Sequence, residues 1–253
     1  MKIIVSGSSH GDPMPGRFQT SLLLESSGKY YLIDAAEPCS GQLINHGIHP
    51  AQLSGIFVTH MHIDHTSGLP VVIYQAVKRR NLFPDVKLQI FLPSPDAKNG
   101  LESWMKVNGL SLPEEIKFSV ITPETHYCDE TLKVSFFPTR HLPPGDDGLP
   151  RSYAILVECE GKKVLFSGDV AADFQDFPAE IAAQCDLVFC ELTHYKLDTA
   201  LEKFQKLPAK SKLYFYHLHT PWQTPEGEAK IMAECSALAS PVKLVRDGEI
   251  IEE

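Results

Sequence analysis

The stretch VTHMHIDHTSGLP, from Val58 to Pro70, places His60, His62, Asp64 and His65 within six residues. Imidazole nitrogen and carboxylate oxygen are the donors that zinc, iron and manganese take from proteins. GIFVTH (55–60) reads as a buried strand ending near His60. In an extended chain the side chains at i and i+2 project the same way, so His60 and His62 can grip one ion together. Asp64 and His65 follow where the chain turns toward a helix beginning at Leu69, and at a turn neighbouring residues can converge on a second ion. Four ligands in six residues do not easily serve one ion, so two ions are the natural reading.

Other elements must carry this cluster. Short β-branched or aromatic runs bounded by Gly, Pro, Asp or Ser predict strands at 2–6, 21–25, 29–34, 55–60, 87–92, 117–122, 132–138, 152–158, 162–168, 186–192 and 212–217. Helices are predicted over 40–47, 69–80, 94–109, 198–208 and 224–238. The last opens on a capping threonine and a first-turn proline. Strands first, then strands alternating with helices, imply mixed sheets covered by helices.

The 253 residues are 43% apolar, enough for a sizeable core. No apolar run is long enough to span a bilayer. The start, MKIIVSGSSHG, has too short an apolar run for a secretory signal, so a cytoplasmic location is expected. None of the six cysteines forms a C-x-x-C pair, and reduced thiols are expected. The net charge of −9 disfavours an extended nucleic-acid footprint. The basic cluster Lys78, Arg79 and Arg80 reads as a solvated helix end.

THMHIDHTSGLP resembles the H-x-H-x-D-H signature of the metallo-β-lactamase-fold superfamily. GSSHGDPMPGR (7–17) resembles its glycine-rich loop, and LIDAAEPCSGQL (32–43) its L-I-D-C-G-E segment. The resemblance implies an α/β (α+β) fold, a four-layer αββα sandwich of two mixed sheets, as one domain over 1–253. It also implies three further ligands at distant strand ends. PTRHLPPG offers His141, and KLYFYHLHTP offers His217 and His219, of which His217 directly follows a strand. VLFSGDV places Asp169 behind a glycine, where one carboxylate can lend an oxygen to each ion. Carried over, His60, His62 and His141 hold the first ion; Asp64, His65 and His217 hold the second; Asp169 bridges. Asp34 matches the aspartate that orients a ligand histidine. The cofactors expected are two divalent ions, zinc, with manganese or iron as alternatives.

Two such ions make hydroxide from water at neutral pH and clamp an anionic transition state. No G-x-S-x-G occurs, so a serine triad is not suggested. The complete signature with a bridging aspartate resembles the phosphodiesterase-like branch, nearest ribonuclease Z. LVFCELTHY (187–195) resembles that enzyme's H-E-A-T segment, with Glu191 on its glutamate. HLHTPW (217–222) resembles its H-x-S-x-R segment. Cys190 stands where that family has histidine, and Pro221 replaces its arginine. Only 27 residues separate His141 from Asp169, too few for the tRNA-gripping arm inserted there. A small anionic phosphodiester is therefore the expected substrate, with Asp64 supporting the chemistry. His219 is expected over the pocket as proton donor, oriented by Glu191. The alternatives are a thioester or lactone hydrolase of the glyoxalase II type, a ribonuclease Z-like endonuclease, and a non-enzymatic metal-binding sensor. No membrane partner is expected; a homodimer is admitted, since dimers are common among the relatives.

Overall fold

The computed structural model describes residues 1–253. The first half of the chain lays down β1 (Lys2–Gly7), β2 (Ser21–Ser26), β3 (Lys29–Ile33), β4 (Leu53–Phe57), β5 (Leu88–Leu92) and β6 (Ile116–Val120). The second half lays down β7 (His126–Cys128), β8 (Leu132–Pro138), β9 (Tyr153–Cys159), β10 (Lys162–Phe166), β11 (Leu187–Leu192), β12 (Lys212–Leu218) and β13 (Val242–Leu244). The last strand, β14 (Ile250–Glu252), returns to pair with β1. The sheets run β14-β1-β2-β3-β4-β5-β6 and β13-β12-β11-β10-β9-β8-β7. Each has three antiparallel pairings followed by three parallel ones. The two halves thus build the same mixed pattern twice.

Period-2 alternation explains the layers. Ile3, Val5, Leu22, Leu24, Tyr31, Ile33 and Phe57 meet Ile155, Val157, Phe166, Phe189, Tyr214 and Tyr216 between the sheets. The intervening residues point outward. Ile4, Leu23, Leu32 and Ile56 pack on α1 (Cys39–Asn45), and on the helices that follow α2 (Ile63–Thr66): α3 (Leu69–Lys78) and α4 (Pro95–Val107). Leu156, Val188, Leu213 and Phe215 pack on α5 (Ala179–Ala182), α6 (Leu197–Phe204) and α7 (Pro225–Glu234). Strands covered on both faces read as nearly continuous apolar runs, as these do. The result is the expected αββα sandwich.

All eleven predicted strands and five predicted helices are present. Thr224 caps α7, accepting from the Gly227 N–H, with Pro225 first in the helix. The basic cluster is corrected at one position. Arg80 is 7% exposed, and its Nη1 donates to the Val86 carbonyl at 2.5 Å, because a 3₁₀ turn follows α3 and folds the guanidinium inward. No helix is long and apolar enough to cross a membrane.

At the end of the sandwich remote from the histidines, Asp129 ties the sheets together. Its carboxylate accepts from the Tyr31 hydroxyl of β3 at 2.6 Å and from Tyr127 of β7 at 3.0 Å. It also accepts from the Thr131 N–H, the Thr131 hydroxyl and the Leu132 N–H at 2.8, 2.9 and 3.0 Å. Burial alone would raise this carboxyl, but the donors outweigh it and hold the group well below the usual range. A depressed folded pKa means stability that is present above the unfolded value, about 3.9, and lost as pH falls through the folded one. Asp129→Asn should therefore cost about 1–3 kcal/mol at neutral pH. In denaturant titrations the gap from wild type should narrow below about pH 4. A gap that stays constant into acid would show that the charge contributes nothing.

Candidate metal centre

The carboxyl ends of the parallel strands of both sheets meet at one edge, where open α/β sheets place their ligand sites. β3 delivers Asp34, β4 runs on into His60 and His62, and α2 carries Asp64 and His65. β8 leads to His141, β10 to Asp169, β11 to Glu191, and β12 contains His217. All seven ligand candidates come together there. His60, His62, His141 and Asp169 form one group, and Asp64, His65 and His217 another, with the donor atoms of each within 4.8 Å of one another.

Asp169 lies between the groups. Its Oδ2 is 3.4 Å from His60 Nε2, 3.6 Å from His141 Nε2 and 3.4 Å from His217 Nε2, and its Oδ1 is 3.4 Å from His65 Nε2. Asp64 Oδ2 stands 3.9 Å from His65 Nε2 and 3.8 Å from His217 Nε2. His62 Nδ1 and His141 Nε2 face each other at 3.1 Å. Burial pulls the His141 imidazole down to about 4, the nearby histidines lowering it further against the charge of Asp169. Burial likewise drives His60 and His217 far below the ordinary range. Neutral imidazole is the form that binds metal.

The orientations have visible causes. Asp34, fully buried, accepts from His65 Nδ1 at 2.7 Å, the Thr59 N–H at 2.8 Å and the Thr59 hydroxyl at 2.9 Å. The Thr59 hydroxyl, having given its proton to Asp34, accepts from His60 Nδ1 at 3.1 Å. In the neutral form both rings therefore carry their proton on Nδ1 and aim an unprotonated Nε2 inward. His60 Nε2, His65 Nε2 and Asp169 Oδ1 are buried without any hydrogen-bond partner. Unsatisfied buried groups cost about 1–3 kcal/mol each, and a divalent cation among them removes that cost. Nitrogen donors with carboxylate oxygen suit zinc, and also iron or manganese.

Two expected roles change. Glu191 does not orient His219. Its buried carboxylate accepts from the N–H groups of Val170, Thr193 and His194 at 2.9, 2.9 and 3.0 Å, and from His194 Nδ1 at 2.9 Å. Those donors fill it. His219 is exposed, its ring 5.2 Å from that of His10. The overlooked residue is His194, half-buried, its ring 4.5 Å from His141 and 5.7 Å from His217. Burial would lower its pKa, but the hydrogen bond and charge of Glu191, joined by Asp169, raise it to about 9. The signal was legible: Glu191 ends a strand facing inward, and a histidine three residues on can curl back to it.

Residues 1–235 match the protein family described as "Anti-Pycsar protein Apyc1". The chain belongs to that family. A ribonuclease Z of Lacticaseibacillus casei is 31% identical over 140 residues, 54% of this chain and 42% of that enzyme. This chain thus spans less than half the length of that curated relative. Among solved structures, the metallo-β-lactamase-fold protein YhfI of Bacillus subtilis superposes with a TM-score of 0.76 at 17% identity, over 100% of this chain and 98% of that one. The short form of human tRNase Z superposes with a TM-score of 0.70 at 18% identity, over 100% and 99%. This family member therefore has the metallo-β-lactamase fold, and a ribonuclease Z is among the proteins its sequence resembles.

Gly168 decides where Asp169 sits. Its φ is +55°, and a Cβ there would lie 2.5 Å from the Tyr153 carbonyl oxygen and 3.0 Å from Thr59 Cβ. Gly168→Ala should destabilise by about 1–3 kcal/mol and displace the carboxylate. A lower melting temperature with weaker zinc uptake is expected; unchanged zinc affinity would show that the approach of β10 to β4 does not set the site.

Proposed function

We propose that this protein hydrolyses a small phosphodiester at a centre of two divalent ions. His60, His62 and His141 hold one ion, Asp64, His65 and His217 the other, and Asp169 stands between them. The observation that carries the reading is the convergence of seven donor residues, Asp169 at their centre, three of their buried atoms being otherwise unpartnered. Two cations there supply a nucleophile from water and a clamp for an anionic transition state.

The chain's own groups do the rest. Asp34 and Thr59 keep Nδ1 of His65 and His60 protonated, so Nε2 of each is the coordinating atom. His194, its Nδ1 engaged by Glu191, keeps Nε2 free to hold a proton for the departing alkoxide. Both carboxylates beside it are fully buried, so the cationic form of His194 is favoured where the leaving oxygen needs a donor. Asp64 supplies a hard oxygen ligand, suited to an ion that also takes phosphate oxygens. A small substrate is favoured because the interval between His141 and Asp169 is taken up by a short loop, β9 and β10, with Arg151 drawn back onto Asp147 at 2.7 Å. No long arm projects there to grip a folded RNA.

A screen on zinc-reconstituted protein tests the reading with bis(p-nitrophenyl) phosphate, a glutathione thioester and a chromogenic β-lactam. Turnover of the phosphodiester is expected, together with two ions per chain by elemental analysis and loss of both properties in Asp169→Ala. Cleavage of the thioester alone would favour the glyoxalase-like reading, and metal binding without turnover of any ester a sensor. His194→Ala should slow an alkyl phosphodiester by about 10²–10⁴-fold, yet barely touch p-nitrophenyl esters, whose leaving group needs no proton. His219→Ala should leave both near wild type. If His219→Ala alone shows the leaving-group dependence, the proton donor is misassigned.

A further inference from the structure

We propose that Thr20 is a positioning residue that decides which ring nitrogen His217 turns toward the second ion, an inference that rests on His217 being a ligand. His217 is the extra residue of a bulge in β12. Glu191 pairs with Tyr216 and Leu192 with Leu218, leaving His217 unopposed. Leu213 and Phe215 point to the outer layer, so without the bulge His217 would follow them away from the site. Its φ of +49° turns it back to the sheet edge, where it is 1% exposed. The Thr193 hydroxyl holds its carbonyl in that conformation. The backbone thus delivers the ring but does not choose between its two nitrogens.

Thr20 makes that choice. Its buried hydroxyl lies 2.6 Å from His217 Nδ1 and 3.0 Å from the Ser9 carbonyl oxygen. A hydroxyl has one proton to give, and a carbonyl can only accept. The proton goes to Ser9, so the hydroxyl oxygen accepts Nδ1–H from His217. That leaves the lone pair on Nε2, which faces Asp169 Oδ2 at 3.4 Å and Asp64 Oδ2 at 3.8 Å. A lone pair turned toward two carboxylate oxygens is a stable arrangement only with a cation among them. The reverse assignment would strip Ser9 of its buried donor. Thr20 also grips the neighbouring candidate ligand, since its N–H donates to the Asp64 carbonyl at 3.1 Å. One residue at the end of the glycine-rich loop therefore sets two of the three donors of the second group, and its support for His217 is neutral where His65 has the carboxylate of Asp34.

Zinc stoichiometry and affinity, measured by competition with a chromophoric chelator, test this on wild type, Thr20→Val and Thr20→Ser. Valine keeps the shape and removes the acceptor; serine keeps it. The second zinc should bind about 10–100-fold more weakly in Thr20→Val, with the first unchanged and Thr20→Ser at wild-type affinity. Long-range ¹H–¹⁵N spectra of histidine-labelled wild type should show His217 protonated at Nδ1. If Thr20→Val does not fold, Thr20→Ala, which leaves room for a water, should show the same selective loss. Two zinc ions bound with unchanged affinity in the valine or alanine variant, or a His217 unprotonated at Nδ1, overturns the inference while the two-ion reading stands. A wild type that takes up fewer than two ions overturns that reading, and this inference with it.

Discussion

A buried imidazole that is to bind a cation must park its one proton on the nitrogen facing away from the cation. At least three histidines here face that requirement within a few ångströms, and burial rules out making them all cationic. The chain answers with acceptors placed behind each ring. Asp34 stands behind His65, Thr59 relays His60 to the same carboxylate, and the Thr20 hydroxyl stands behind His217. Asp34 can sit there only because its backbone takes a φ of +57° at the end of β3, a conformation that aspartate tolerates better than most residues. Much of the local backbone at this edge makes sense as a means of supplying acceptors to the buried rings.

The repeated sheet pattern explains how so many groups reach one place. Parallel strands end together, and each sheet contributes parallel strands whose carboxyl ends lie at the same edge of the sandwich. The first sheet brings the H-x-H-x-D-H segment and Asp34; the second brings Asp169, Glu191 and His217. Neither sheet holds a complete donor set. Closing the inner core therefore assembles the site, and the site's precision depends on the packing of Tyr31, Phe57, Phe166 and Phe189 between the sheets. Asp129 pins the opposite end, so the two sheets are held both by apolar packing and by a partly buried carboxylate.

Most of the architecture was legible because the strands are covered on both faces and short turn formers separate them. The three strands that pattern reading passed over, β7, β13 and β14, are three residues each and lie at sheet edges or near the chain's end, too short for alternation to register. The single-turn helices α2 and α5 are likewise below the length at which a 3.6-residue period can show. At the site, the H-x-H-x-D-H spacing announced itself, and so did the aspartate behind a glycine. The Glu191–His194 pair was legible as well, but His219 stood out instead. His219 looked eligible because it lies in the loop just beyond the strand that ends at His217, where it could sit over the pocket. That placement fails because a bulge takes up His217, a 3₁₀ turn follows at Thr220–Gln223, and His219 is left exposed beside His10. A bulge at a residue other than glycine leaves no composition signal.

The same bulge ties His217 and His194 together through a single residue. Thr193 donates its hydroxyl proton to the His217 carbonyl while its N–H donates to Glu191, the carboxylate that holds His194. Thr193 is thus the link between two neighbouring turns, one ending β11 and one interrupting β12. Through Thr193, the position of His217 and the orientation of the His194 ring share one set of hydrogen bonds. The link is short, because only Thr193 and the Glu191 carboxylate stand between the two histidines. It also explains why a threonine suits this position. A residue with an N–H alone could hold Glu191, and a hydroxyl alone could hold the bulge, but tying the two turns together takes both on one residue.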